Sequence, residues 1–148
     1  MSARNNTIAD PIRLHFSDQT KVVVTPDDED RFMTTAAEAA RACEHVQNLF
    51  QWKQEFDRLL THVHGWCKAR NETVSRAYLA ATGEGLDVFL LTAGPEYRFD
   101  FDDLVSELDI ELARRFKNCP SGVTHFPDTP SEPLSSFFDP SKALQLYG

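Results

Sequence analysis

Across residues 36–70 the apolar positions Val46, Leu49, Phe56, Leu60, Val63 and Cys67 recur at alternating three- and four-residue steps, with Lys53 as the one polar interruption. That spacing predicts an amphipathic helix, free of proline and holding a single glycine, Gly65. Trp52, Leu59 and Trp66 repeat every seven residues beside the stripe and widen it beyond a coiled-coil seam. Upstream, Ala36, Ala37, Ala39, Ala40 and Ala42 favour close approach of another backbone. About 35 helical residues extend roughly 50 Å, whereas a compact domain of this length is about 40 Å across. The helix is therefore expected either to break near residues 43–48 or to overhang the domain against a second copy or another protein.

Other periods surround it. Ile12-Arg13-Leu14-His15-Phe16 alternates apolar and polar, and Lys21-Val22-Val23-Val24-Thr25 is rich in β-branched residues. With the turn chemistry of Ser17-Asp18-Gln19-Thr20 between them, they predict a hairpin. Thr25-Pro26-Asp27-Asp28 signals a helix start, and Thr35 with Glu38 at capping-box spacing signals another, so residues 26–33 are expected as a separate turn. A second hairpin is predicted from Thr73–Thr82 and Leu86–Ala93, joined around Gly83-Glu84-Gly85. Leu86, Val88, Phe89, Leu90 and Leu91 put apolar groups on both faces, as in a central strand. Glu96–Phe99 is expected as a short edge strand. Asp100 then caps a helix over 101–117, whose Leu104, Val105, Leu108, Leu112 and Phe116 share one face.

After Asn118 the composition shifts, with five of the eight prolines at Pro120, Pro127, Pro130, Pro133 and Pro140. Gly122–Phe126 could add a strand, and Asp139-Pro140 is expected to start a last short helix through Leu146. The expected fold is α+β: an antiparallel, hairpin-built sheet packed against one long and one shorter amphipathic helix, with a Pro-rich C-terminal arm. Residues 1–10 are expected to be flexible, 11–117 to form a single α+β domain, and 118–148 to be an arm packing on that domain or on a partner.

Composition narrows the function classes. The 148 residues carry 15 Lys and Arg against 23 Asp and Glu, a net charge of −8, which disfavours a nucleic-acid backbone as ligand. No apolar run is long enough for a membrane span or a signal peptide, so a cytoplasmic protein is expected. The three cysteines Cys43, Cys67 and Cys119 are odd in number and widely spaced, as reduced thiols would be. Charge is segregated: residues 84–111 hold nine acids against Arg98, while residues 45–80 are net +2.

Asp100-Phe101-Asp102-Asp103 resembles, over four residues, the first motif of haloacid-dehalogenase-type phosphotransferases, which would imply an attacking and a proton-handling aspartate. Leu104 stands where that motif has threonine, and acids at the positive end of a helix explain the same residues. His62, His64 and Cys67, with Cys43 and His45 able to approach from elsewhere, offer soft and borderline metal ligands, but His62 and His64 lie about 200° apart on a helix. Cys119 with His125 is the other thiol–imidazole combination considered. The preferred expectation is a non-enzymatic interaction module with no cofactor and no metal: an accessory subunit, adaptor, or chaperone-, antitoxin- or immunity-like acidic protein that self-associates. Its candidate contact residues are Trp52, Leu59 and Trp66 on the long helix, Asp102, Asp103 and Glu107 on the acidic helix, and Phe137, Phe138 and Tyr147 on the arm. The alternatives are a small metal-binding or Cys/His-dependent enzyme and, third, a nucleic-acid-associated protein.

Overall fold

The computed structural model describes residues 10–17, 21–43, 48–82, 85–129 and 133–148. Among them the chain runs β1 (Ile12–Arg13), β2 (His15–Phe16), β3 (Val22–Val23), α1 (Glu29–Ala42), α2 (Leu49–Ala69), β4 (Val74–Thr82), β5 (Gly85–Thr92), α3 (Asp102–Arg115), β6 (Ser121–Pro127) and β7 (Ala143–Tyr147). The fold is α+β, with five strands ordered β1-β7-β4-β5-β6 and a separate β2–β3 pair. The larger sheet is mixed, not purely antiparallel. β4 pairs antiparallel with β5 and β7, whereas β5–β6 and β1–β7 are parallel. The crossover through α3 imposes the parallel β5–β6 pairing, because a chain that returns over a sheet face re-enters in its original direction.

The expected helix over 36–70 is two helices, and the described part of its apolar stripe, Leu49 to Cys67, lies in the second. α1 ends at Ala42, Cys43 is extended (φ −99°, ψ 107°), and Asn48 caps α2 by accepting the Gln51 N–H. Residues 44–47 between them lie outside the described residues, as do 1–9 of the expected flexible terminus and residues 18–20 and Gly83-Glu84 of the two expected turns. α1 also starts earlier than the Thr35–Glu38 spacing suggests. Thr35 is buried in mid-helix, and one 3-10 turn, Pro26–Asp28, precedes the helix at Glu29.

All three helices contribute to one core with the inner positions of the sheet. Ala77 and Leu79 of β4, Val88 and Leu90 of β5, and Leu144 and Leu146 of β7 meet Phe56, Leu60 and Val63 of α2 and Leu108 and Leu112 of α3 there. Gly85, at φ +138°, lets β5 start beside Pro120, whose carbonyl oxygen would stand 3.0 Å from an added Cβ.

The C-terminal third contributes two strands to this sheet. Asp139 caps a single 3-10 turn, Pro140–Lys142, by accepting the Ser141 N–H, and the following residues form β7 in place of the expected helix. Slotting between β1 and β4 buries Ala143, Leu144 and Leu146, which outweighs local helix preference. The intervening segment covers the sheet's second face: Phe137 stacks on Phe126 at 3.9 Å between ring centroids, and Phe138 packs against Phe89 at 4.9 Å and Tyr78 at 5.4 Å. Among the described residues no helix is long and apolar enough to cross a membrane.

Candidate functional site

Between β5 and α3 the chain turns at Gly94, whose φ of +98° suits glycine, and reaches a 3-10 turn, Phe99–Phe101. No strand forms over Glu96–Phe99. At three residues per turn, positions 99 and 101 point about 240° apart, so one ring goes inward and the other outward. Phe101 is buried, between Trp66 at 5.7 Å and the edge of His125 at 5.4 Å, while Phe99 is 77% exposed. Asp100 pairs with Arg98 through two 3.2 Å contacts and does not cap α3, which begins at Asp102.

Behind this turn stands a three-membered polar cluster. Tyr97 Oη donates to Asp102 Oδ1 at 2.7 Å, and His125 Nε2 lies 2.6 Å from the same oxygen and 3.0 Å from Tyr97 Oη. A proton assigned to Nε2 serves both contacts, which leaves the buried Nδ1 without a hydrogen-bond partner. β6 carries His125 on the helix-facing side of the sheet, opposite Leu90. Tyr97 lies over the imidazole at 4.6 Å and meets the Phe99 ring edge-on at 4.7 Å. A run of rings thus reaches from Trp66 on α2, through Phe101, His125 and Tyr97, to Phe99 at the surface.

Carboxylates outnumber cations here, with Arg98 paired to Asp100. The Tyr97 hydroxyl, and after it His125, hold the Asp102 carboxyl below the usual carboxylate range, and the bond to Asp102 in turn raises the Tyr97 phenol. The Arg98 guanidinium does the same for Asp100. Asp103 and Glu107 are exposed on α3, and Leu104, 38% exposed, lies between them. The outcome is an exposed aromatic platform of Tyr97 and Phe99, with the carboxylates of Asp100 and Asp102 beside it and His125 bracing it from below. Replacing the brace by His125→Ala is expected to lower stability by about 1–3 kcal/mol, measured by urea denaturation, because it removes a buried ring and two hydrogen bonds.

The residues expected to make contacts fall in several separate places. Trp52 and Leu59 are core residues, and Trp52 Nε1 is already used in donating to the Asn118 carbonyl at 3.0 Å. Their seven-residue repeat marks the inner edge of α2, and burial leaves them no surface for a partner. Trp66 and Glu107 are brought together across a groove of about 570 Å³ between α2 and α3, where Arg70 lies over the indole at 4.1 Å. Asp102, Asp103 and Glu107 do share the acidic helix. Phe137 and Phe138 lie on the second sheet face, and Tyr147 sits beside His64, 6.1 Å away.

The metal and thiol candidates disperse. His62 Nε2 bonds Glu111 at 3.0 Å, and His64 Nδ1 donates to the Leu146 carbonyl at 2.8 Å while its ring stacks on Phe16. Cys67 is buried, His45 is outside the described residues, and among those described no three His, Cys, Asp or Glu side chains converge. Cys119 and His125 go to different partners, Cys119 to Cys43 and His125 to Asp102 and Tyr97. Tyr97, Phe99 and His125 were not expected at the contact site. The available signal was the alternation Tyr97-Arg98-Phe99-Asp100-Phe101-Asp102 directly before a helix. Comparison of the chain with protein families, curated proteins and solved structures found no match.

Proposed function

We propose that this chain is a non-enzymatic, cytoplasmic interaction module that docks a basic segment of another protein on the Tyr97–Phe99 platform. The observation that carries this reading is Phe99, 77% exposed on a turn whose neighbours are fixed by core packing and hydrogen bonds. A rigid exposed aromatic is the kind of anchor that dominates binding energy at interfaces. The carboxylates around it favour a partner of positive charge and speed its encounter. A symmetric pair of these platforms would set like charge against like charge, so the partner is a different chain, not a second copy. On this reading the protein is an accessory or neutralising subunit of acidic character.

The test uses the partner that co-purifies in fixed ratio with the wild-type protein from its native lysate. Phe99→Ala, and separately the double variant Asp103→Lys with Glu107→Lys, are each expected to weaken that complex by about tenfold or more at low salt. Both sites are exposed, so stability should stay within about 0.5 kcal/mol of wild type. Unchanged affinity in both variants would exclude the platform as the docking surface.

A further inference from the structure

Arginine against an aromatic ring recurs within this chain. The Arg70 guanidinium lies over the Trp66 indole at 4.1 Å from the ring centre. Arg76 combines a ring with a carboxylate: it stands 5.7 Å from the centre of the Tyr78 ring while Nη2 and Nε fork onto Asp128 at 2.6 and 2.9 Å. The turn before α3 holds the same two ingredients, a ring and a carboxylate. Among the described residues, however, no cation lies over Tyr97 or Phe99. Arg98, which lies between them in the chain, is turned to Asp100 through Nε and Nη2.

We propose that the residue of the partner's basic segment that seats on this platform is an arginine, its guanidinium stacked on the Phe99 ring with Asp102 Oδ2 as acceptor; this rests on the docking reading given above. Three observations support it. Phe99 is 77% exposed, so its ring offers a face to solvent. That face is held in position, because Tyr97 meets Phe99 at 62° and 4.7 Å and is itself tied to Asp102 at 2.7 Å and laid over His125 at 4.6 Å. The Asp102 carboxylate is only half used. Tyr97 and His125 both bond Oδ1, and Oδ2 accepts nothing among the described residues.

The choice between the two basic side chains follows from their shapes. A guanidinium is planar and weakly hydrated, so it can lay its face on a ring and keep its N–H groups, which lie in that plane, free for an oxygen at the ring's margin. The ammonium of lysine is a compact, strongly hydrated point charge, and stacking offers it less. An acidic surface alone attracts both cations through the same field, so a preference for arginine must come from the ring.

The test uses the full-length protein and two fluorescein-labelled peptides of equal length, an arginine-glycine repeat and a lysine-glycine repeat, titrated at low salt and followed by anisotropy. The arginine peptide is expected to bind about fivefold tighter or more, the scale of one cation–π contact at an exposed site. Phe99→Leu keeps apolar bulk at an exposed position but removes the π face, so the ratio of the two affinities should fall to about one. Asp103→Lys with Glu107→Lys should weaken both peptides and leave that ratio in place. Equal affinity of the wild type for the two peptides, binding of neither, or a preference for arginine that survives Phe99→Leu would each overturn the proposal. The docking reading fails separately, through a co-purified partner that stays bound to Phe99→Ala and to the charge-reversed variant.

Discussion

Phe56→Ala is expected to destabilise the protein by about 3–5 kcal/mol, the range for truncating a fully buried aromatic side chain. Phe56 has no exposed surface and stacks on Trp52 at 4.7 Å. It joins the core cluster with Leu59, Leu60 and Val63, which are fully buried on the same helix. A close-packed interior of this kind collapses only partly around a missing ring, so a cavity term adds to the lost transfer energy. Phe50→Ala on the same helix is the control. Phe50 is 71% exposed, and its truncation should change stability by no more than about 0.5 kcal/mol. Urea denaturation followed by tryptophan fluorescence reads both, with the midpoint moving and the slope constant for Phe56→Ala. Near-equal effects for the two phenylalanines would mean that α2 does not present this stripe to the core.

The same two residues illustrate what the sequence made legible. Periodicity identified the inward face of α2 because Phe56, Leu60, Val63 and Cys67 return to one side every turn, and burial rewards that return. The β4–β5 hairpin was equally readable, since strand, glycine-bearing turn and strand are adjacent in the chain. Pairings between distant segments were not. β7 sits between β1 and β4, and β6 pairs parallel with β5, yet nothing local in Ala143–Tyr147 or Ser121–Pro127 encodes a neighbour so far away. Trp52 misled for a related reason. A heptad beside a stripe reads alike whether it faces a second protein or the Asn118 turn of its own chain.

At the candidate site the charges were legible and their arrangement was not. Asp102, Asp103 and Glu107 belong to a segment whose acidity is visible in composition. That Asp102 would be shared by Tyr97 and His125 depends on β6 carrying His125 beneath the start of α3, a consequence of the parallel crossover. Phe99 could not be told from a strand residue, because alternation of apolar and polar residues over four positions is common to an edge strand and a tight 3-10 turn. The buried neighbour Phe101, packed between Trp66 and His125, decides between them by anchoring the turn.

Asp128→Asn is expected to cost about 1–2 kcal/mol at neutral pH and to flatten part of the protein's acid sensitivity. Asp128, just past β6, takes the Arg76 guanidinium in a fork, with Nη2 to Oδ1 at 2.6 Å and Nε to Oδ2 at 2.9 Å, and also accepts from Ser75 Oγ at 2.7 Å. β5 separates β4 from β6, so this fork pins two strands that are not themselves paired. Hydrogen bonds to charged groups contribute about 1.5–3 kcal/mol, reduced here because the Arg76 side chain is 35% exposed and partly screened. The Arg76 hydrogen bonds hold the Asp128 carboxyl below its ordinary 3.8, with Ser75 adding to the effect. A folded value below the unfolded one means that the contribution is complete above 3.8 and is lost as pH falls through the folded value. The stability gap between wild type and Asp128→Asn should therefore be constant from neutral pH down to about 5 and shrink on further acidification. Urea midpoints collected across that range measure it. A gap that stays constant down to about pH 2 would show that the carboxylate charge adds nothing to what a neutral amide supplies at this position.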